Sequence, residues 1–166
     1  MTEPATPMTE QDKIAADREF IAWACRGDQD ACALLDVLGY VAHLWDDLVD
    51  RDRERAPEEI TRAFWALLVD LPANPFWLAH AGQLIPVLRE GINAWLDANQ
   101  LEQRDDLTSR AQAYSLRTAY NQLLTTCAYL VGGFPWMRTV SMAIRDNRSL
   151  TDGTFREYLK ALEQGG

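Results

Sequence analysis

Apolar residues recur along most of this chain every three to four positions, the spacing of a helix that turns one face toward a core. No stretch of useful length alternates apolar and polar residues as a half-buried strand would. The most strongly patterned segment carries Leu34, Leu38, Val41, Trp45 and Leu48 and predicts a helix from Asp28, whose carboxylate suits a cap, to about Asp52. Before it, a helix starting at Thr9 holds Ile14, Phe20, Ile21 and Trp23 and ends at Gly27, with residues 1–8 expected as a frayed terminus. Pro57, Glu58 and Glu59 mark the first turn of a third helix: proline loses no hydrogen bond there, and acidic groups favour the positive end of the dipole. It carries Ile60, Phe64, Trp65, Leu67 and Leu68, and it should stop in a tight turn at Leu71-Pro72-Ala73-Asn74-Pro75.

Phe76 to about Asn99 is helical in content, with Pro86 expected to kink it. After a polar joint at 99–106, a long helix should run through Leu107, Tyr114, Leu116, Tyr120, Leu123 and Leu130 to Gly132-Gly133. Phe134-Pro135-Trp136 starts a shorter helix, and a last one spans about Thr151 to Gln164. With no internal repeat or low-complexity run, the expected fold class is all-α, a single-domain bundle of six or seven helices over residues 9–166.

The 166 residues, 48% of them hydrophobic, suffice for one core. With 16 basic and 25 acidic residues the net charge is -9, which repels phosphate backbones and anionic lipid and argues against a nucleic-acid partner. A polyphosphate ligand stays compatible with that charge if divalent cations bridge the two. Cys25, Cys32 and Cys127 are odd in number, lie in apolar helical stretches and show no zinc or disulfide spacing, so they read as reduced and buried. The first residues lack the basic and apolar regions of a signal peptide, and no apolar run approaches the ~20 residues of a membrane span. A cytoplasmic protein is the expectation.

One local motif carries chemistry: the acidic run Asp46, Asp47, Asp50 and Asp52. The first three fall within one turn of a helix, where carboxylate oxygens can converge on Mg²⁺, a hard cation that prefers oxygen ligands. His43, four residues before Asp47, can share that face. Turning about 100° per residue, an ordinary amphipathic helix would also gather Asp36, His43, Asp46, Asp47 and Asp50 on its wet side. Gly39 and Tyr40 beside that face, and its lack of lysine and glutamate, point away from simple solvation. Both the metal reading and the solvated reading stay open.

The series Asp46-Asp47-Leu48-Val49-Asp50 resembles the aspartate-rich motif of isoprenyl diphosphate and terpene synthases. The resemblance implies an all-α bundle holding Mg²⁺ against a substrate diphosphate. That family's second motif is not matched: Asp105-Asp106 is followed by Ser109 where a third aspartate would stand, and Asn121 and Thr125 by Tyr129 in place of glutamate. A wider stretch, from Trp23-Ala24-Cys25-Arg26-Gly27-Asp28 through the acidic run to Asn74-Pro75-Phe76, resembles small helical proteins of tailed bacteriophages and prophages. Glu58-Glu59 is the only paired glutamate that could be set beside the all-α nucleoside triphosphate pyrophosphatases, and a helix start explains it better.

Arg117 and Asn121 share a face by their four-residue spacing and would be the phosphate clamp and an added oxygen ligand, or else members of a polar network between helices. His80 is read as structural, and the tryptophans, spread about one per helix, as core anchors. No serine sits in a Gly-flanked elbow, and no cysteine has a histidine partner nearby in sequence. Two functions follow as expectations. One is a Mg²⁺ site at Asp46, Asp47 and Asp50 for a diphosphate-bearing small molecule, with Arg117 and Asn121 as ligand-binding residues; the other is a non-catalytic protein acting through a protein partner, with homodimerisation as a further expectation.

Overall fold

The computed structural model describes residues 10–51, 53–147 and 154–164, and these form an all-α bundle. The expectations for residues 1–8, Thr9, Asp52 and Thr151 lie outside the described residues. Helix α1 (Glu10–Ala24) leads through Arg26 and Gly27, both with positive φ, to α2 (Gln29–Asp50). The Asp28 carboxylate caps α2 by accepting from the Ala31 N–H at 2.9 Å, and Arg51 closes it in the left-handed region. Then come α3 (Pro57–Trp65), a π-helical turn (Ala66–Asp70) and the single turn α4 (Leu71–Ala73). Helix α5 (Pro75–Glu102) follows, then α6 (Leu107–Arg117), a 3₁₀ turn (Thr118–Tyr120), α7 (Asn121–Asp146) and α8 (Phe155–Gln164).

Two apolar clusters hold these elements, and α5 belongs to both. The larger joins α1, α2, α5 and α7 around Leu34, Leu35, Leu84, Leu123 and Val140, all essentially inaccessible to solvent, together with Cys25 and Cys127. The smaller joins α5, α6 and α8 around Ala98, Ala113 and Tyr158. At 28 residues and ~1.5 Å per residue, α5 is about 40 Å long and runs through Pro86. Asn74 fixes its start twice over: Oδ1 accepts from the Trp77 N–H at 2.9 Å and Nδ2 donates to the Asp30 carbonyl at 2.9 Å, docking α5 on the start of α2.

The expected turn at Leu71-Pro72-Ala73-Asn74-Pro75 is present but confined to its second half: helical winding continues to Ala73 and breaks at Asn74, where ψ is 124°. Pro72 falls in the last turn of this continuous run, where its missing N–H cannot extend the ladder and the winding ends one residue later. In α3 the buried residues are Ala63 and, in the π turn, Ala66, whereas Phe64, Trp65 and Leu68 face solvent. A π turn holds more residues per turn than an α turn and so swings the apolar face out of line with the one that 3.6 periodicity predicts. The expected long fifth helix is divided at Thr118, whose hydroxyl donates to the Ser115 carbonyl at 2.8 Å in place of a continuing α ladder.

The expected stop at Gly132-Gly133 is present as a break inside α7, with Gly133 at φ 74°, ψ -173°, a conformation closed to other residues. A Cβ at Gly132 would lie 2.5 Å from Trp136 Cδ1, so that indole packs directly on the backbone while its Nε1 donates to the Ala24 carbonyl at 2.8 Å. The tryptophans are boundary residues more than core anchors: Trp23, Trp45 and Trp65 are exposed and Trp77, Trp95 and Trp136 half-buried. Gly133→Ala is expected to cost about 1–3 kcal/mol of folding free energy, read as a lowered urea midpoint at unchanged slope.

Candidate functional site at the end of the second helix

Two aspartates of α2, Asp46 and Asp47, point between neighbouring helices, each toward an arginine of the chain. Asp46 Oδ1 accepts from Trp95 Nε1 of α5 at 2.8 Å and lies 3.6 Å from Nη1 of Arg117, at the end of α6. Arg117 makes a two-pronged contact with Glu102, Nε to Oε1 at 2.9 Å and Nη2 to Oε2 at 2.5 Å, and the Tyr158 hydroxyl of α8 donates to Glu102 Oε1. The side chains of Arg117 and Glu102 are only 17% and 10% exposed. Burial works against the Arg117 charge, but the Glu102 carboxylate outweighs it and the guanidinium pKa moves up.

Asp47 serves a second clasp. Its Oδ2 accepts from Arg55 Nε at 2.6 Å and from a terminal guanidinium nitrogen, while Arg55 Nη1 reaches Glu59 Oε1 at 2.8 Å. The other Glu59 oxygen accepts from the Ala56 N–H at 3.0 Å, and the Tyr40 hydroxyl donates to the Glu59 carbonyl at 2.9 Å, so α2, the connecting loop and α3 are tied together. The Ala56 N–H and the Arg55 guanidinium hold the Glu59 carboxyl below its ordinary range. Asp50 and His43 lie on exposed positions of the same helix.

The structure therefore brings Asp46 near Arg117, one of the two residues expected to bind a ligand, but as partners in an ion-pair network. Asn121 does not share a helix face with Arg117, because the 3₁₀ turn lies between them; it opens α7, and its carbonyl accepts from Thr125 Oγ1 at 2.9 Å. Among the described residues no three His, Cys, Asp or Glu side chains are gathered closely enough to hold a metal ion. Sequence reasoning missed Arg55, Trp95, Glu102 and Tyr158. Only Arg55 had a local signal, its spacing of four from Glu59.

The surface offers open grooves, one of about 740 Å³ along α5 and α6 beside Gln100, Arg104 and Thr108 and one of about 480 Å³ beside Pro57, Thr61 and Trp65. No helix among the described residues is long and apolar enough to cross a membrane. The chain matches no family model, no curated protein and no solved structure.

Glu102→Gln is expected to lower stability by about 2 kcal/mol, less than the ~3–5 kcal/mol of a fully buried broken pair because both groups keep some solvent contact. Urea denaturation checks it, and a double-mutant cycle with Arg117→Met should show that most of the loss depends on the arginine.

Proposed function

We propose that this chain is a non-catalytic, helical protein-binding module whose contact surface is the apolar patch on α3 and the π turn after it. The observation that carries this reading is the placement of Phe64, Trp65, Leu68 and Val69, four large apolar side chains within six residues, all facing solvent. Isolated apolar residues on a surface need no explanation, but a cluster of aromatic and aliphatic side chains beside a groove is the form of an interface centre. The patch is also held in place: Asp70 accepts from Trp65 Nε1 at 3.0 Å and from Arg62 at 2.7 Å, so the indole is oriented before any partner arrives. A helical phage-type protein acting through a host or phage partner accords with this reading.

The alternative, Mg²⁺ held by Asp46, Asp47 and Asp50 against a diphosphate, would require Asp46 and Asp47 to exchange their arginine and tryptophan partners for the cation. Freed guanidinium groups would then need carboxylates of their own, and Arg117 would keep Glu102.

The test has two arms. Millimolar Mg²⁺ or Mn²⁺, alone or with pyrophosphate, is expected to leave the thermal midpoint unmoved; a rise of several degrees that needs both would overturn the proposal in favour of the cation site. Partner capture by the tagged chain is expected to be lost in Leu68→Asp and in Phe64→Ser and retained in the control Ile14→Asp, with all three keeping the wild-type midpoint to within a few degrees. Capture undiminished by both patch variants would sink the assignment of the patch.

A further inference from the structure

Helix α5 presents to solvent a second apolar feature, on a different element from the α3 patch. Leu78, Gly82, Ile85, Arg89, Ile92 and Leu96 are separated by 4, 3, 4, 3 and 4 residues, and all six are exposed. That alternation is the seam of a left-handed coiled coil, carried here for nearly three heptads on one helix. The buried residues of the same helix, Leu84, Ala94 and Ala98 among them, lie outside this series, so the chain's own core is not what the seam serves. The four large apolar members keep between 41% and 67% of their surface in water.

The seam is complementary to itself when two copies run antiparallel. With a two-fold axis beside residue 87, every member meets another member: Leu78 faces Leu96 of the second copy, Ile92 faces Gly82, and Arg89 lies along Ile85. The layers match in size as well as in register. Among the described residues nothing lies within 4 Å of where a Gly82 Cβ would be, so that position is left open there, and a facing isoleucine fits over it. Gly82 is also the residue whose carbonyl loses its helical donor to Pro86, four positions on.

Charge removes the main objection to self-association. Two chains of net charge -9 repel, yet residues 75–96 contain only Arg89 and Glu90 as full charges, and these cancel. Glu90 already holds Arg89, Oε1 to Nη2 at 3.1 Å, so the arginine can lay its aliphatic stem across the seam with its charge answered at home. A basic partner helix would find no anionic rim along this stretch, whereas a second copy finds a neutral one. We propose that the exposed seam of α5 is the interface of an antiparallel homodimer, in which α5 packs against α5 of a second copy of this chain.

The experiment uses the full chain. Analytical ultracentrifugation is expected to show twice the single-chain mass at tens of micromolar. Ile85→Asp and Ile92→Asp should each weaken dimerisation at least tenfold while circular dichroism and the thermal midpoint of dilute protein stay as in wild type. Orientation is read by disulfide trapping: a mixture of Leu78→Cys and Leu96→Cys chains should form the mixed cross-link under mild oxidation. Either variant alone should not, since like positions would lie about 27 Å apart along the axis at ~1.5 Å per residue. A chain that stays monomeric at these concentrations overturns the proposal. So does a dimer untouched by both aspartate variants, or one in which Leu78→Cys cross-links to itself. The Leu68→Asp variant of the α3 patch is expected to dimerise normally, so loss of partner capture and loss of the dimer separate the two proposals.

Discussion

The arrangement of α2, α5, α6 and α8 depends on one half-buried charge, the guanidinium of Arg117. A cation so far removed from water is tolerable only if its partners are fixed in advance, and three elements supply them: Glu102 from α5, Asp46 from α2 and, through Glu102, the Tyr158 hydroxyl from α8. Apolar contact at this end of the bundle is thin, a small cluster around Ala98, Ala113 and Tyr158. The polar network therefore sets the mutual position of these helices, and hydrophobic burial, concentrated at the other end around Leu34, Leu84 and Leu123, supplies the larger part of the stability. Such a division suits ion pairs, whose directional contacts specify geometry better than they add free energy.

The same economy explains what stays on the outside. A core built on Ala24, Ala31, Ala63, Ala66, Ala94, Ala98, Ala113 and Ala128 lets helices approach closely and leaves bulky side chains with no room inside. Phe64, Trp65 and Leu68 stay on the surface, and among the described residues the outer side of α5 leaves Leu78, Ile85, Ile92 and Leu96 exposed. An acidic chain with neutral apolar stretches on two different elements has the makings of an assembly component: its overall charge opposes indiscriminate sticking, and its patches define where contact is allowed.

How much of this could be read from residues alone follows from the range of each interaction. The start of α2 was legible because Asp28 acts within three positions, and the break at Gly132-Gly133 because only glycine takes the Gly133 conformation, whereas the caps Asn74 and Asp106 emerge only in the structure. Asp46, Asp47 and Asp50 were legible as a clustered face, but their partners were not: Trp95 is 49 residues from Asp46, and Glu102 and Arg117, 15 apart, meet only because the chain reverses between α5 and α6. Arg117 and Asn121 were read as neighbours on one helix, but a 3₁₀ turn that periodicity does not reveal puts them on α6 and α7. The π turn after α3 was not legible at all, because reading by periodicity assumes 3.6 residues per turn.

Three thiols sit where α1, α2 and α7 converge, Cys25 and Cys127 fully enclosed and Cys32 at the margin. Enclosure raises all three thiol pKa values, that of Cys127 to about 12, so the two enclosed thiols, Cys25 and Cys127, stay protonated in the closed protein and out of reach of oxidants and alkylating agents. Reactivity of Cys25 and Cys127 arises only when the helices part. The chain thus carries an intrinsic stopwatch for its own breathing: the pace at which Cys25 and Cys127 become modified counts the moments when the centre of the bundle is open, with no label introduced.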